Sequence, residues 1–426
     1  MADSALTLFY RFAEDKSLDA ALATLGPTLG ITRAGTNARY FDSSGVMQAA
    51  GANTARFDHD PGNANASLGL LVEAASTNIN QQSQTFDNAW WDPSSTGPVT
   101  ADTTVAPDGT TTGDTVPKTG AYQSLQHWGI AVSDASQYTI SLFAKAGTLD
   151  KVSLTCLGVG SFGVRFDLTA GTATDYESGT PDAFGIIDVG GGWYRCWHTF
   201  TTAGTSAQFH IYPGQHDSGT AGNVICWGAQ LEAGPLTSYI VTTGPATRNA
   251  DVVSTTTVDW FTTTAGTFAV RGDLVTVDAV ARALLTLDDG GTTDRFYLER
   301  DATENINWAT THSADTDGAS DGTGVIAEAT EFWVAAAFAD DDVRAAVDGT
   351  LSPADTAAGI PLADAMTTLR VGADSAGNYW NGHIAELRYY NERKIDATLQ
   401  DISNGNVGEA LTSAAGRVGM AIGIGI

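Results

Sequence analysis

With 426 residues, 42% of them hydrophobic and 9% aromatic, the chain has material for two or three buried cores and is too long for a mini-scaffold. Only 16% of the residues are charged, below the ~25% of an average soluble protein, so Gly, Thr, Ala and Ser must supply an uncharged polar surface of the kind that suits short strands and tight turns. The balance of 21 basic against 49 acidic residues, −28 in all, repels phosphate backbones and anionic lipid and argues against nucleic acid as a partner.

The chain opens on Met1-Ala2-Asp3-Ser4 with neither a basic start nor an adequate apolar run, so no signal peptide is expected. No stretch approaches the ~20 apolar residues of a membrane span, so no membrane insertion is expected either. Residues 1–80 read as an irregular segment, with one short helix predicted over 15–24. From Phe86-Asp87-Asn88-Ala89-Trp90-Trp91 onward the pattern alternates with period two, as in 138–144, 164–168 and 207–212, and Gly, Asp and Asn clusters separate the runs at a spacing typical of a sandwich or jelly roll. This strand-rich block spans 81–250. A second one covers 251–404, includes the alternating run 385–390, and closes on a short helix predicted over 395–402, where Asp396 can cap a turn presenting Leu399 and Ile402. Residues 405–426 form a Gly-rich apolar tail. The fold class expected is therefore all-β, with tandem β-sandwich (jelly-roll) domains behind an irregular N-terminal attachment segment.

Three cysteines, Cys156, Cys196 and Cys226, are too few for a disulfide framework. Period two places Cys196 on one face with Tyr194 and Phe200, so the cysteines read as reduced core residues.

Several strings carry a resemblance. They are Arg39-Tyr40-Phe41-Asp42-Ser43-Ser44-Gly45-Val46, Ala55-Arg56-Phe57-Asp58-His59-Asp60-Pro61, Gly69-Leu70-Leu71-Val72-Glu73 and Thr77-Asn78. Together they resemble a module of tailed-bacteriophage virion proteins, head fibres and tail fibres among them. In that family a carbohydrate-binding-module-like jelly roll follows, ending in a segment similar to Gly228-Ala229-Gln230-Leu231-Glu232-Ala233-Gly234 and a strand similar to Ser238-Tyr239-Ile240. Residues 251–404 resemble a concanavalin A-like or laminin-G-like lectin sandwich, whose last strands carry a pattern like residues 381–391. The resemblance implies a virion location, folding in the host cytoplasm, a homo-oligomer such as a trimer, contacts with other virion proteins, and binding of host-surface polysaccharide.

Candidate site residues follow from chemistry. Sugar recognition needs an aromatic ring for the C–H face and amides or carboxylates for the hydroxyls, which singles out His127 and Trp128, Asn378, Tyr379 and Trp380, and Trp90 and Trp91. Trp193, Trp197, Trp227 and Trp333 sit in apolar alternating runs and read as core. Trp308 reads as a loop or strand-edge residue. Glu299, Asp301 and Glu304 have a spacing found in a glycoside-hydrolase branch of the concanavalin-like fold, where two carboxylates ~5 Å apart are needed, but the intervening Arg300, Ala302 and Thr303 are not the apolar residues of that branch. No catalysis is expected; a polysaccharide-degrading enzyme is the alternative, and a purely structural capsid cement is a third. Asp315, Asp317 and Asp321 alternate in a Gly-containing run that could wrap Ca²⁺ but lacks the closing bidentate Glu of an EF-hand, so turn chemistry is the simpler reading. In the tail, Val418, Met420, Ile422, Ile424 and Ile426 share one strand face, and are expected to pair with a neighbouring subunit or another virion protein.

Overall fold

The computed structural model describes residues 5–93, 95–275, 278, 280–312, 315–327, 329–360 and 366–406, with the backbone alone over 315–323 and at 325. The tail residues Val418, Met420, Ile422, Ile424 and Ile426 lie outside the described residues. Strands are numbered along the chain, and the two α-helices among the described residues are α1 (Phe12–Asp15) and α2 (Asp396–Ser403).

The middle of the chain forms one sandwich. A five-stranded sheet runs β10 (Leu125–Ala131), β17 (Ser206–Pro213), β12 (Lys151–Leu157), β13 (Ser161–Asp167) and β14 (Thr172–Asp175). It faces a six-stranded sheet in the order β15 (Ala183–Asp188), β16 (Trp193–Thr201), β11 (Gln137–Ala146), β18 (Gly222–Ala233), β9 (Thr111–Lys118) and β8 (Thr100–Val105). Alternation decides what is inside. Val152, Leu154 and Cys156 on β12 and Ala207, Phe209 and Ile211 on β17 meet Ile140 and Leu142 on β11 and Cys196 and Phe200 on β16. Each large side chain so buried contributes roughly 1.5–3 kcal/mol. The three thiols are free and lie in this sandwich, and burial pushes that of Cys156 up to about 12, so they act as small apolar fillers.

The second sandwich is built from both ends of the chain. One sheet runs β28 (Thr350–Leu351), β27 (Asp342–Val347), β26 (Phe332–Ala339), β21 (Ala265–Gly272), β30 (Gly382–Tyr390), β6 (Ala66–Val72) and β5 (Phe57–Asp60), and β1 (Leu6–Tyr10) pairs with the far end of β30. The other runs β2 (Gly30–Thr32), β20 (Val252–Thr255), β29 (Thr368–Val371), β22 (Arg282–Asp288), β23 (Arg295–Arg300), β24 (Asn305–His312) and β25 (Asp315–Val325). Between them sits an aromatic core of Phe268, Phe296, Trp308, Phe338 and Tyr389. Sheet pairing thus runs across the sequence boundary at residue 80, because β1, β2, β5 and β6 complete sheets begun by residues 251–404. Two small ladders remain: β3 (Ala38–Phe41) with β4 (Met47–Ala50), and β7 (Ser76–Asn78) with β19 (Ala246–Arg248), which clamps the chain where it enters and leaves the first sandwich.

Four local expectations change. The helix predicted over 15–24 is replaced by the earlier α1, which shares only Asp15 with it, since Lys16 turns left-handed and the following backbone bonds elsewhere: Ala21 N donates to Phe9 O at 2.7 Å and Leu29 N to Leu18 O at 2.9 Å. Helix α2 buries Leu399 and Ile402 as expected, but Asp396 does not cap it; its carboxylate takes Arg344 and Arg393 instead. Asp315, Asp317 and Asp321 lie on strand β25 and not in a turn loop, and Trp308 is a core residue of β24.

Candidate functional site

The strings that carry the sequence resemblance converge on one buried joint. Arg56 pairs with Glu73 at 2.7 Å and with Asp251, Arg33 reaches Asp251 at 2.5 Å, and Arg248 Nε lies 3.6 Å from Glu73. Ser238 donates to Glu73 from its backbone N at 2.6 Å and its hydroxyl at 2.7 Å. Glu232 accepts from Ser76 Oγ at 2.7 Å and Thr237 Oγ1 at 2.6 Å, while Asn78 Nδ2 donates to the carbonyls of Ala229 at 3.1 Å and Ile240 at 2.9 Å. Burial alone would raise the Glu73 pKa, but Arg248, Arg56 and the Ser238 bonds outweigh it and hold the carboxyl well below its usual range. Beside the joint, His383 of β30 is held between Asp273 at 2.7 Å and Asp58 at 3.1 Å. Burial disfavours its charge, yet the two carboxylates carry its pKa to about 10. Each carboxylate of the joint is spent on at least one of these cations or donors, while Arg248 faces Glu73 without a hydrogen bond, so the joint is an architectural feature that fixes the two sandwiches together.

The outer face of the five-stranded sheet differs. Ala207, Phe209 and Ile211 point into the core, so Gln208, His210 and Tyr212 of β17 point out. On β10, Gln126 stands opposite His210, and a bulge then sets Trp128 and Gly129 against the single residue Gln208. Gly129 takes the left-handed φ of 75° that this needs, and Trp128 is left 56% exposed on the same face. At the other end, His216 stacks on Tyr176 with centroids 4.4 Å apart and meets Tyr212 at 5.7 Å and Tyr122 at 5.4 Å, both edge-on. Arg165 lies 5.2 Å from the Tyr176 centroid. Tyr176 can lie flat because β13 carries Gly163 beneath it: a Cβ there would sit 3.0 Å from Tyr176 Cζ and 2.5 Å from Glu177 Cγ. From Gln208 to Tyr212 the face spans about 13 Å, at ~3.3 Å per residue. It ends in rings on both sides, with Gln208 half-buried and Gln126 and His210 buried between them. Burial lowers the His210 pKa to about 4, so this imidazole is neutral near pH 7.

Of the residues singled out in the sequence, the structure brings three to this region. Trp128 is on the face itself. His127 lies at its margin, stacked on Trp90 at 3.6 Å with its Nδ1 2.6 Å from the Trp90 carbonyl oxygen. Trp91 is 1% exposed, packs on Phe86 and Phe209, and donates its indole N–H to Gln82 O, so it is a core residue. Trp380 is likewise a core residue: its ring meets Phe332 and its indole N–H reaches Asp273 O at 2.7 Å, so neither side can take a ligand. Asn378 and Tyr379 sit in the second sandwich, with the Asn378 amide committed to Asp374 at 2.8 Å and Tyr379 half-buried. Asp301 spends its oxygens on Thr303, Asn305 and Asn307, and Glu304 pairs with Arg300 at 3.5 Å. Tyr122, Tyr176, Tyr212, His210 and His216 were missed. The period-two reading of 207–212 held the signal, because it separates His210 and Tyr212 from the core-facing residues between them.

No protein-family model matches the chain, and no curated protein does. Solved structures resemble parts of it. One is the NanB sialidase from Streptococcus pneumoniae, 14% identical, with 34% of this chain and 26% of that chain covered and a TM-score of 0.29. A second is the CBM40 of the Ruminococcus gnavus IT-sialidase bound to α2,3-sialyllactose, 12% identical, covering 33% and 82%, with a TM-score of 0.29. A third is domain 4 of AbnA, a GH43 extracellular arabinanase from Geobacillus stearothermophilus, in complex with arabinotriose, 14% identical, covering 40% and 82%, with a TM-score of 0.31. The chain thus spans about a quarter of the sialidase, 26% of its length.

Proposed function

We propose that this protein is a non-enzymatic glycan-binding component of a bacteriophage virion, and that it holds a host-surface polysaccharide across the outer face of its five-stranded sheet. The observation that carries the reading is the placement of Trp128 at one end of that face and the Tyr176, Tyr212, His216 and Tyr122 rings at the other, with amide and imidazole groups between. Rings of this kind cover the C–H faces of pyranoses, and the amides of Gln126 and Gln208, whose oxygens already lie on Ser124 Oγ and His210 Nε2, keep N–H groups to donate toward hydroxyls. A face of about 13 Å suits a short oligosaccharide stretch within a longer chain. The virion location, and assembly as a trimer with other virion proteins, rest on the sequence strings alone.

Glycan-array binding by the full chain, repeated with Trp128→Ala and Tyr212→Ala, tests the reading. Specific binding lost in both folded variants is expected; binding that survives in both would rule this face out. Release of reducing sugar from a bound polysaccharide would replace binding by hydrolysis. Antibody labelling of intact particles tests the virion location, and light scattering the trimer.

A further inference from the structure

At the Tyr176 end of the sheet face one ring is carried by a strained backbone. Tyr122 precedes β10 and sits at a left-handed φ of 59°, the one aromatic residue among the described non-glycine residues with such an angle. A bulky residue seldom adopts it, because the side chain crowds its own backbone there, and the strain persists only where the surroundings impose it. Here they do. The Tyr122 N–H donates to His216 O at 2.7 Å, and the Gln123 side-chain oxygen gathers Thr119 N at 2.6 Å, Thr119 Oγ1 at 3.1 Å and Gly120 N at 2.9 Å.

The strain serves no packing. The Tyr122 ring is 67% exposed and lies outside the buried apolar clusters of the described residues. Its ring contact among those residues is the edge-on one with His216. His216 lies on Tyr176 with 23° between the ring planes, so the Tyr122 ring, 71° from His216, stands up beside that stack instead of extending it. An exposed ring removes little apolar area from water, and therefore contributes little stability to offset the conformation it requires.

We propose that Tyr122 is a specificity-determining residue of the glycan face: its upright ring packs against the side of the sugar seated at this end, and the strained backbone is kept for that contact although it lowers stability, a role that rests on the sheet face being the glycan site. Tyr122→Gly removes the ring and relieves the backbone, since glycine adopts this φ without a steric penalty. A glycan array read with the full chain, followed by calorimetry on the oligosaccharide that the wild type binds most tightly, should show affinity reduced by about fivefold or more and a flatter preference among the arrayed glycans. The Tm of the same variant should equal or exceed that of the wild type, whereas loss of a ring that only packed would lower it. Tyr122→Phe keeps the ring and should recover the affinity and preference that the glycine variant loses.

Wild-type affinity in Tyr122→Gly, a Tm more than about 2 °C below the wild type, or no recovery with Tyr122→Phe would each overturn the proposal. Trp128→Ala and Tyr212→Ala separate it from the reading on which it rests. If those two variants lose binding while Tyr122→Gly does not, the role of Tyr122 alone is refuted. If the wild type binds no glycan, or both of those variants bind fully, the face is not the site and the role of Tyr122 falls with it.

Discussion

The joint and the sheet face are both rich in polar and aromatic groups, yet they are organised in opposite ways. In the joint, Arg33, Arg56, Glu73, Arg248 and Asp251 are fully covered, and each carboxylate faces at least one guanidinium. On the face, Trp128 and Tyr122 stand out into solvent, and the rings are held by stacking and edge contacts. Charged groups taken fully out of water hold a fold, whereas the exposed rings of the face are within reach of a ligand; the imidazole and amides between those rings are already tied to one another and to Ser124. Arg56, Glu73, Asn78, Glu232 and Ser238 of the motif-like strings fall in the joint, and residues 39–46 belong to the β3–β4 ladder and its turn, which is why these strings report architecture and are silent about what the protein binds.

The largest effect should come from breaking the joint. Glu73→Leu removes the carboxylate shared by Arg56 and Arg248 and leaves charge buried, so a loss of about 3–5 kcal/mol is expected in urea unfolding. A loss under ~1 kcal/mol would mean that the joint is solvated or readily rearranged. The face should respond in the other currency. Tyr212→Ala should weaken glycan binding by roughly 1–3 kcal/mol with little change in the urea midpoint. A large stability loss without a binding defect would make the ring a structural one.

Much of the fold was legible. Period two located β11, β13, β17 and part of β30, and the buried faces of β13 and β17 follow from it directly, whereas β30 is buried along its whole length. What could not be read was long-range pairing: nothing local in residues 6–10 or 66–72 says that these strands complete a sheet with residues 382–390. Tryptophan burial failed for the same reason. Trp380 and Trp308 have polar neighbours in sequence, and it is the opposing sheet, absent from any local window, that covers them. The site was half legible. Trp128 stood out as a ring beside Gln126 and His127, whereas the Tyr176 and His216 stack joins loops about forty residues apart and needs the strands that bring them together.

A pH titration separates the two sandwiches more gently. His383 is raised to about 10 from an ordinary value near 6.5. Its contribution is therefore complete below about pH 6.5 and is lost as pH rises through about 10. His210 and His198 are lowered by burial to about 4 and about 3, so their contribution is present above pH 6.5 and fades as the pH falls toward those values. Urea midpoints of the wild type should decline between pH 7 and 9.5, and His383→Gln should flatten that limb while leaving the acid limb intact. An unchanged alkaline slope in the variant would show that His383 is not the titrating group.

The smallest expected effect tests the face most selectively. Gly163 has no backbone need for glycine, since its φ is not left-handed; its role is the space above it. Gly163→Ala would place a methyl 3.0 Å from Tyr176 Cζ and 2.5 Å from Glu177 Cγ, so the Tyr176 ring must lift from the strand. Lifting it breaks the stack on His216 and removes the ring from beneath Arg165, while the core-facing Val164 and Phe166 on either side are untouched. Aromatic pairs of this kind contribute about 0.5–1.5 kcal/mol to the fold, so stability should fall by about that much and glycan affinity by a few-fold. If Gly163→Ala binds as the wild type does while the Tyr176 ring resonances show that the stack is gone, the Tyr176 end of the face is not where the sugar sits, and Trp128 with its neighbours on β10 would be the whole of the site.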